Sequence, residues 1–116
     1  MTAQLSLLPH LVETSPLGQV YYATEGCNIK IGWTARTPKK RGGELNVDML
    51  VTFGGGELDE RRHHRMWSRY RIGSSEWFRA DKEILLWLTQ QIEPNTYAWK
   101  VLQKLIYASM SGSAAA

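Results

Sequence analysis

The chain has 116 residues, of which 43% are hydrophobic, which suits one small domain with a modest core and excludes wholesale disorder. Its longest apolar run, "ILLWL", is far shorter than the roughly 20 residues that span a bilayer, and the start "MTAQLSLLPHLVET" lacks the basic region of a secretory signal. A lone cysteine, Cys27, excludes an intramolecular disulfide and is typical of a reducing compartment. We therefore expect a soluble, cytoplasmic protein with no membrane partner.

Positive charge is distributed unevenly along the chain, although the net charge of +3 is mild. Ten of the fourteen Lys and Arg residues fall in two short segments. The first segment contains Lys30, Arg36, Lys39, Lys40 and Arg41, and the second contains Arg61, Arg62, Arg65, Arg69 and Arg71. Concentrated positive charge favours a polyanion partner, most simply nucleic acid, although two solvated helix faces would produce the same pattern.

Hydrophobic periodicity and turn residues predict the elements in chain order. The first half holds a tail over 1–16, a β-hairpin over 18–33, a helix from Thr37 to Leu45 with Pro38 in its first turn, and a strand over 47–53. A helix from Glu57 to Tyr70 and a short extended piece at "EWF" follow. The chain closes with helices over 82–92 and 95–110 and a flexible tail over 111–116. This order predicts an α/β (α+β) domain over 17–80 with an antiparallel sheet, on which two extra C-terminal helices over 81–110 pack. Those helices would enlarge the core through Ile84, Leu88, Val101, Leu102 and Leu105, and an exposed face on the last helix would allow a homodimer in place of a monomer.

The hairpin "VYYATEGCNIKIGWT" has two unlike faces. A tight turn between Glu25 and Gly26 would place Tyr21 opposite Lys30, on the face away from the apolar residues. The apolar face would carry Val20, Tyr22, Ile29 and Ile31. The pair of Tyr21 and Lys30 is either a phosphate site beside a basic helix or a solvent-facing pair without a role.

The helix predicted over 57–70 carries Glu60, His64 and Trp67 on one face, at positions i, i+4 and i+7. A more buried stripe is expected at Leu58, Met66 and Tyr70. A carboxylate in a basic field is a candidate ligand for Mg²⁺, which proteins commonly hold with one or two carboxylates, water and substrate phosphate. The alternative is an ordinary helix pair, such as Glu57 with Arg61 or Glu60 with His64. Zinc is disfavoured because His63 and His64 are adjacent and point in different directions.

The closing motif Glu76-Trp77-Phe78 has a structural and a functional interpretation. It could shape a DNA surface. The structural interpretation is favoured, because large aromatic side chains dominate the energetics of a core. It places Trp77 and Phe78 in the core and pairs Glu76 with an arginine.

The order of these features resembles the GIY-YIG nuclease superfamily, and more narrowly a branch of phage-encoded and bacterial DNA-binding domains with the pattern "VY…KIG.T…R…E…H..F…EWF". The matching residues are Val20-Tyr21, Lys30-Ile31-Gly32, Thr34, Arg41 with Leu45, Glu60, His64, Trp67 for the aromatic, and Glu76-Trp77-Phe78. The match spans about residues 18 to 79. Two departures from the superfamily's pattern are Gln19 for the leading glycine and Lys30 for the second tyrosine, although lysine is usual in this branch.

The resemblance implies a three-stranded antiparallel sheet flanked by helices, and cleavage of a DNA phosphodiester with one divalent ion, Mg²⁺. In that scheme Glu60 is the metal ligand, Arg41 stabilises charge on the phosphate, Tyr21 activates or orients the attacking water, Lys30 takes the place of the second tyrosine, and His64 lines the site. One extra residue lies between Gly32 and Arg41, so Lys40 is an alternative for the arginine's place. The expected DNA contacts are Arg36, Lys39, Lys40, Arg61, Arg65 and Arg69.

Three functions remain open from the sequence. The first is a metal-dependent DNA endonuclease or nickase. The second is a DNA-binding module on the same fold that does not cleave. The third is a protein-interaction or host-modulating module, encoded by a phage, that uses Trp87, Trp99 and the C-terminal helices.

Overall fold

The computed structural model describes residues 17–35 and 38–111, and only the backbone of residues 38, 39 and 44. The expectations for the tails over 1–16 and 112–116, for Arg36 and Thr37 and for the Lys39 side chain lie outside this description. The described elements are β1 (Gln19–Thr24), β2 (Asn28–Thr34), α1 (Pro38–Leu45), β3 (Asp48–Gly54), α2 (Glu57–Met66), a 3-10 helix (Ser68–Tyr70), β4 (Trp77–Arg79), α3 (Lys82–Thr89) and α4 (Tyr97–Ser111).

The four strands form one antiparallel sheet in the order β3-β1-β2-β4, which confirms the mixed α/β class. The expected count of three strands is wrong by one, because the "EWF" segment forms β4. This strand pairs with β2 only from Asn28 to Lys30. Such a short segment has no strand periodicity of its own and becomes a strand through its partner.

The register of the hairpin differs from the prediction by two residues. Tyr21 lies opposite Gly32, and Lys30 lies opposite Ala23. The loop is longer than a two-residue turn because side chains bond its backbone: Glu25 accepts hydrogen bonds from the amides of residues 27 and 28, and Thr24 accepts one from the amide of residue 26. A shift of two residues keeps every side chain on its face, so Tyr21 and Lys30 still share one face of the sheet.

Helices cover both faces of the central strand β1, which is buried along almost its whole length. The face with Val20, Tyr22 and Ile31 joins the hydrophobic core with residues of α3 and α4. Helix α1 packs against β1 and β3 on the other face, where a methyl group on Gly42 would lie 3.3 Å from Met49 Cγ. The face with Tyr21 is therefore an interior surface and not a solvent-facing one.

The Tyr21 ring lies directly over Gly32. A Cβ atom built on Gly32 would be 2.5 Å from the Tyr21 hydroxyl oxygen and 2.6 Å from Cζ, which is closer than real contacts allow. The glycine of "KIG" is therefore required for space and not for an unusual backbone angle. Its absent side chain lets Tyr21 lie flat and fully buried at the centre of the sheet.

Helix α2 faces the core with different residues from those expected. Leu58 and Met66 are exposed, so their placement on a buried stripe is wrong, whereas Tyr70 is buried as predicted. The inward residues are His63 and Trp67. The Tyr22 hydroxyl shares a hydrogen bond of 2.6 Å with His63 Nδ1 and accepts one from Trp67 Nε1 at 3.1 Å, and this polar connection sets the rotation of the helix.

The C-terminal helices extend the core as predicted. Ile84, Leu88, Leu102 and Leu105 are buried in the same cluster as the sheet residues, and Val101 is partly buried against it. Helix α4 ends at Ser111, one residue later than expected. None of the helices in the part of the chain that the structure describes has the length and apolar character that a membrane crossing requires.

Candidate active site

Lys30 and Glu76 meet where β2 and β4 begin to diverge. Lys30 Nζ donates a hydrogen bond to Glu76 Oε1 at 2.9 Å, and the ammonium lies 5.4 Å from the centre of the Trp77 ring. The Lys30 side chain is only 14% exposed, whereas that of Glu76 is 46% exposed. The buried lysine charge is therefore balanced by a carboxylate that reaches in from the surface. The expectation that Glu76 pairs with an arginine is wrong, because the partner of Glu76 is Lys30.

Glu60 extends from α2 to the same place. The pKa of Glu60 is raised to about 7, mainly by burial and next by the neighbouring Glu76 carboxylate, which is close enough to share a hydrogen bond with it, while the Lys30 charge acts in the opposite direction. Two carboxylates and one ammonium make a cluster with a surplus of negative charge. Near neutral pH, a proton or a cation would relieve that surplus.

His64 joins the sheet to this cluster. Its Nε2–H donates a hydrogen bond of 2.7 Å to the carbonyl of Ile31, just beyond the point where β4 stops pairing with β2. The same nitrogen lies 3.8 Å from Glu60 Oε2. His64 therefore satisfies a carbonyl at the edge of the sheet and lies beside Glu60, and His63 points elsewhere, toward Tyr22, as the sequence predicted.

Tyr21 lies on the same face of the sheet as Lys30. Its hydroxyl is fully buried and has no hydrogen-bond partner among residues 17–35 and 38–111. A buried hydroxyl without a partner is uncommon in a folded protein and suits a group that receives a ligand oxygen or a water. Tyr21 thus shares a face of the sheet with Lys30, as expected, although Gly32 and not Lys30 faces it across the strands.

Helix α1 distinguishes between the two candidates for the phosphate-stabilising cation. Lys40 is exposed, whereas Arg41 is half-buried and its Nε atom is buried. Because α1 packs on β1 and β3, the inward residue of the two is Arg41. The geometry favours Arg41 over Lys40 for a role at the sheet.

The remaining basic candidates are on the surface. Arg61, Arg65 and Arg69 are exposed, and Arg69 lies 3.6 Å from Glu83 and against the Tyr70 ring. The proposed helix pair of Glu57 with Arg61 does not form, but the approach of Glu60 to His64 does. Arg61 and Arg65 therefore keep their charge available for a partner.

Sequence reasoning missed Glu76 as a member of the site. Its position in the motif is visible in the sequence, but its proximity to Lys30 and Glu60 depends on how β4 pairs with β2. Strand parity gives no signal for it, because Trp77 is directly opposed to Lys30 and alternation would turn the adjacent Glu76 away from that face.

The donor set fits one hard divalent cation. Within residues 17–35 and 38–111, no group of three or more His, Cys, Asp or Glu side chains is arranged to hold a metal ion. Mg²⁺ does not require such a group, because one or two carboxylates together with waters and substrate phosphate are its usual ligands. Glu60 and Glu76 supply two carboxylates with surplus negative charge, and this is the observation that makes the site suitable.

Comparison of the chain with family models, with curated proteins and with solved structures produces no match. The assignment of a function to this chain therefore depends on the geometry of the site.

Proposed function

We propose that this chain is a metal-dependent DNA endonuclease or nickase of the GIY-YIG type, acting in a bacterial or phage-infected cytoplasm. The observation that supports the proposal most strongly is the cluster of Lys30, Glu60 and Glu76 on a sheet whose neighbouring strand carries the buried hydroxyl of Tyr21. Phosphodiester hydrolysis builds negative charge on the phosphate and on the leaving oxygen, so it needs positive charge there, which a divalent ion on the two carboxylates and the Lys30 ammonium would supply. The basic surface residues of α2 suit a polyanionic substrate.

Each residue has a definite task in this scheme. Glu60 and Glu76 would hold one Mg²⁺, which when bound supplies electrostatic stabilisation to the charged phosphate. Lys30 limits the repulsion between the two carboxylates and places a further positive charge beside the phosphate. The Tyr21 hydroxyl would accept a hydrogen bond from the attacking water and so orient it. Arg41 would neutralise charge on a phosphate oxygen. His64, which its bond to the sheet holds in place, would line the site beside Glu60.

A DNA-binding module without cleavage is the second candidate. The Lys30 ammonium is already engaged by Glu76, and Tyr21 is fully buried. Both observations would suit a protein that keeps the fold and binds phosphates through its arginines but does not hydrolyse them.

Relaxation of supercoiled plasmid distinguishes these functions. Wild type is incubated with plasmid in Mg²⁺ and in EDTA, alongside Glu60→Gln and the control Glu57→Gln, which removes an exposed carboxylate one turn earlier on the same helix. A nuclease would give open-circular product with wild type and Glu57→Gln in Mg²⁺ only, and none with Glu60→Gln. Intact plasmid in every lane, together with a salt-sensitive gel shift, would favour the binding module. The absence of any DNA binding near physiological salt would refute both.

A further inference from the structure

Three arginines line one cavity beside the candidate active site. The cavity has a volume of about 250 Å³, and its walls are formed by Arg61, His64, Arg65, Ser68 and Arg71. Arg61 and Arg65 are one helical turn apart on α2, and Arg71 approaches from the segment after the 3-10 helix. The convergence of side chains from two segments makes this a concave basic site and not a single helix face.

The charge of these arginines is not balanced by the protein. Within the described part of the chain, none of Arg61, Arg65 and Arg71 has a carboxylate within ion-pair distance. Two arginines outside the cavity do have such partners: Arg62 lies 3.0 Å from Asp59, and Arg69 lies 3.6 Å from Glu83. Three guanidiniums without a carboxylate partner therefore line one cavity.

Arg71 is held in place by the backbone. Its Nε donates to the carbonyl of Ser75 at 2.7 Å, and its Nη2 donates to that of Ser74 at 3.2 Å. A guanidinium has five N–H donors, so this anchoring leaves donors for a ligand while it reduces the entropy lost on binding. The Ser68 hydroxyl adds a further donor at the wall of the cavity.

His64 forms a wall that the cavity shares with the carboxylate cluster. Its Nε2 lies 3.8 Å from Glu60 Oε2, and its ring also lines the cavity. His64 is thus a neighbour both of the arginines and of the Glu60 carboxylate. A single nucleic-acid strand that crosses this ring would bring successive phosphates to the two sides.

We infer that the cavity lined by Arg61, Arg65 and Arg71 binds the backbone phosphate next to the one at the Glu60 and Glu76 carboxylates. Arginine presents paired N–H donors that match phosphate oxygens. Three guanidiniums without a carboxylate partner are therefore suited to bind both free oxygens of one phosphodiester. Binding of a phosphate in this cavity would determine which phosphodiester linkage of the strand lies at the Glu60 and Glu76 carboxylates. This inference rests on the proposed nucleic-acid substrate but not on cleavage.

The test measures binding of a fluorescent DNA duplex to the full chain by anisotropy, in EDTA so that no cleavage occurs. The variants are Arg61→Gln, Arg65→Gln and the matched control Arg62→Gln, whose arginine lies on the same helix but outside the cavity and pairs with Asp59. Arg61→Gln and Arg65→Gln should each weaken binding by roughly tenfold and should reduce the slope of log K against log salt by about one. Arg62→Gln should weaken binding much less. Equal effects of the three variants would overturn the inference.

A second arm locates the phosphate. A series of duplexes carries one neutral methylphosphonate linkage at each position in turn. One position should weaken binding of wild type about as much as Arg65→Gln does, and should have no further effect on Arg65→Gln, because the two changes remove the same contact. Losses that add at every position would show that Arg65 contacts no particular phosphate and would overturn the inference.

Different results would refute the proposed cleavage and the proposed phosphate site in the arginine cavity. Position-specific binding through Arg61 and Arg65 without any plasmid nicking would refute cleavage and support the cavity. Nicking that depends on Glu60, combined with equal DNA binding by all three arginine variants, would support cleavage and refute the cavity.

Discussion

Lys30 donates a hydrogen bond to Glu76 across 46 residues of sequence, and the two side chains meet beside the carboxylate of Glu60. The lysine is almost enclosed, and Glu76 reaches it from the more open side. A small sheet thus brings an ammonium and two carboxylates together at the place where its last strand ends. The arrangement gives Lys30, which interrupts the apolar pattern of β2, a definite electrostatic role.

Replacement of Lys30 with Met should destabilise the fold more at pH 8 than at pH 5. The change leaves Glu60 and Glu76 facing each other without a cation, and their repulsion is complete only when both are ionised. We expect a loss of about 1–2 kcal/mol at pH 8, kept small because Glu76 is partly solvated, as measured by urea unfolding. The double variant Lys30→Met/Glu76→Gln should recover most of that loss. Simple addition of the two single effects would contradict the proposed coupling.

The raised pKa of Glu60 predicts a specific pH dependence of stability. Its folded-state pKa is about 7, against an ordinary value of 4.5, so between these values the folded state holds more protons than the unfolded state. The stabilising contribution is therefore fully present below about pH 4.5 and is lost as the pH rises through 7. In EDTA, Glu60→Gln should be more stable than wild type at pH 8 by about 1–2 kcal/mol after allowance for solvent screening, with the advantage vanishing near pH 4.5. A difference that does not change with pH in urea unfolding would disprove the assignment.

The connection of Tyr22 with His63 and Trp67 should be structural. Tyr22→Phe removes a hydroxyl that bonds both side chains in the core, and we expect a loss of about 1–3 kcal/mol in the free energy of unfolding. Burial lowers the pKa of His63, which favours the neutral ring in this contact. DNA binding should not change, because the three side chains lie on the core face of the sheet. A variant as stable as wild type in urea unfolding would show that the buried hydroxyl contributes nothing.

Gly32→Ala should disturb the sheet although alanine is a better strand residue. The added methyl group would overlap the Tyr21 ring, and overpacking of this kind costs about 1–3 kcal/mol. The control is Gly43→Ala, because nothing lies within 4 Å of a Cβ there. Combination with Tyr21→Ala should make the effect of Gly32→Ala much smaller, as measured by urea unfolding. An equal loss in the free energy of unfolding from Gly32→Ala with and without the Tyr21 ring would contradict the close contact between Tyr21 and Gly32.

Periodicity and turn residues are sufficient to predict the order of the first three strands and of the helices, and the two faces of the hairpin. The register is not predictable in the same way, because Glu25 and Thr24 bond the loop backbone and widen it by two residues. Strand β4 carries no signal of its own because Trp77–Arg79 is extended only through its pairing with β2. The rotation of α2 does not obey hydrophobic periodicity, because His63, a polar residue, faces the core and is satisfied there by Tyr22.

The candidate site can be anticipated only in part. Strand parity places Tyr21 and Lys30 on one face, and helix spacing places Glu60 next to His64. The role of Glu76 depends on tertiary pairing, since nothing local brings it to Lys30. The arginine cavity also depends on the turn that orients Arg71, so its third member is indistinguishable from any other basic residue in the sequence.

The most direct measurement of the central claim is the rate at which wild type and Glu60→Gln nick supercoiled plasmid at saturating Mg²⁺. A carboxylate that acts in phosphodiester cleavage predicts a loss of about 100-fold or more in the variant, with its DNA affinity in EDTA retained. Equal rates for the two proteins, or no nicking by wild type under conditions in which it binds DNA, would contradict the claim.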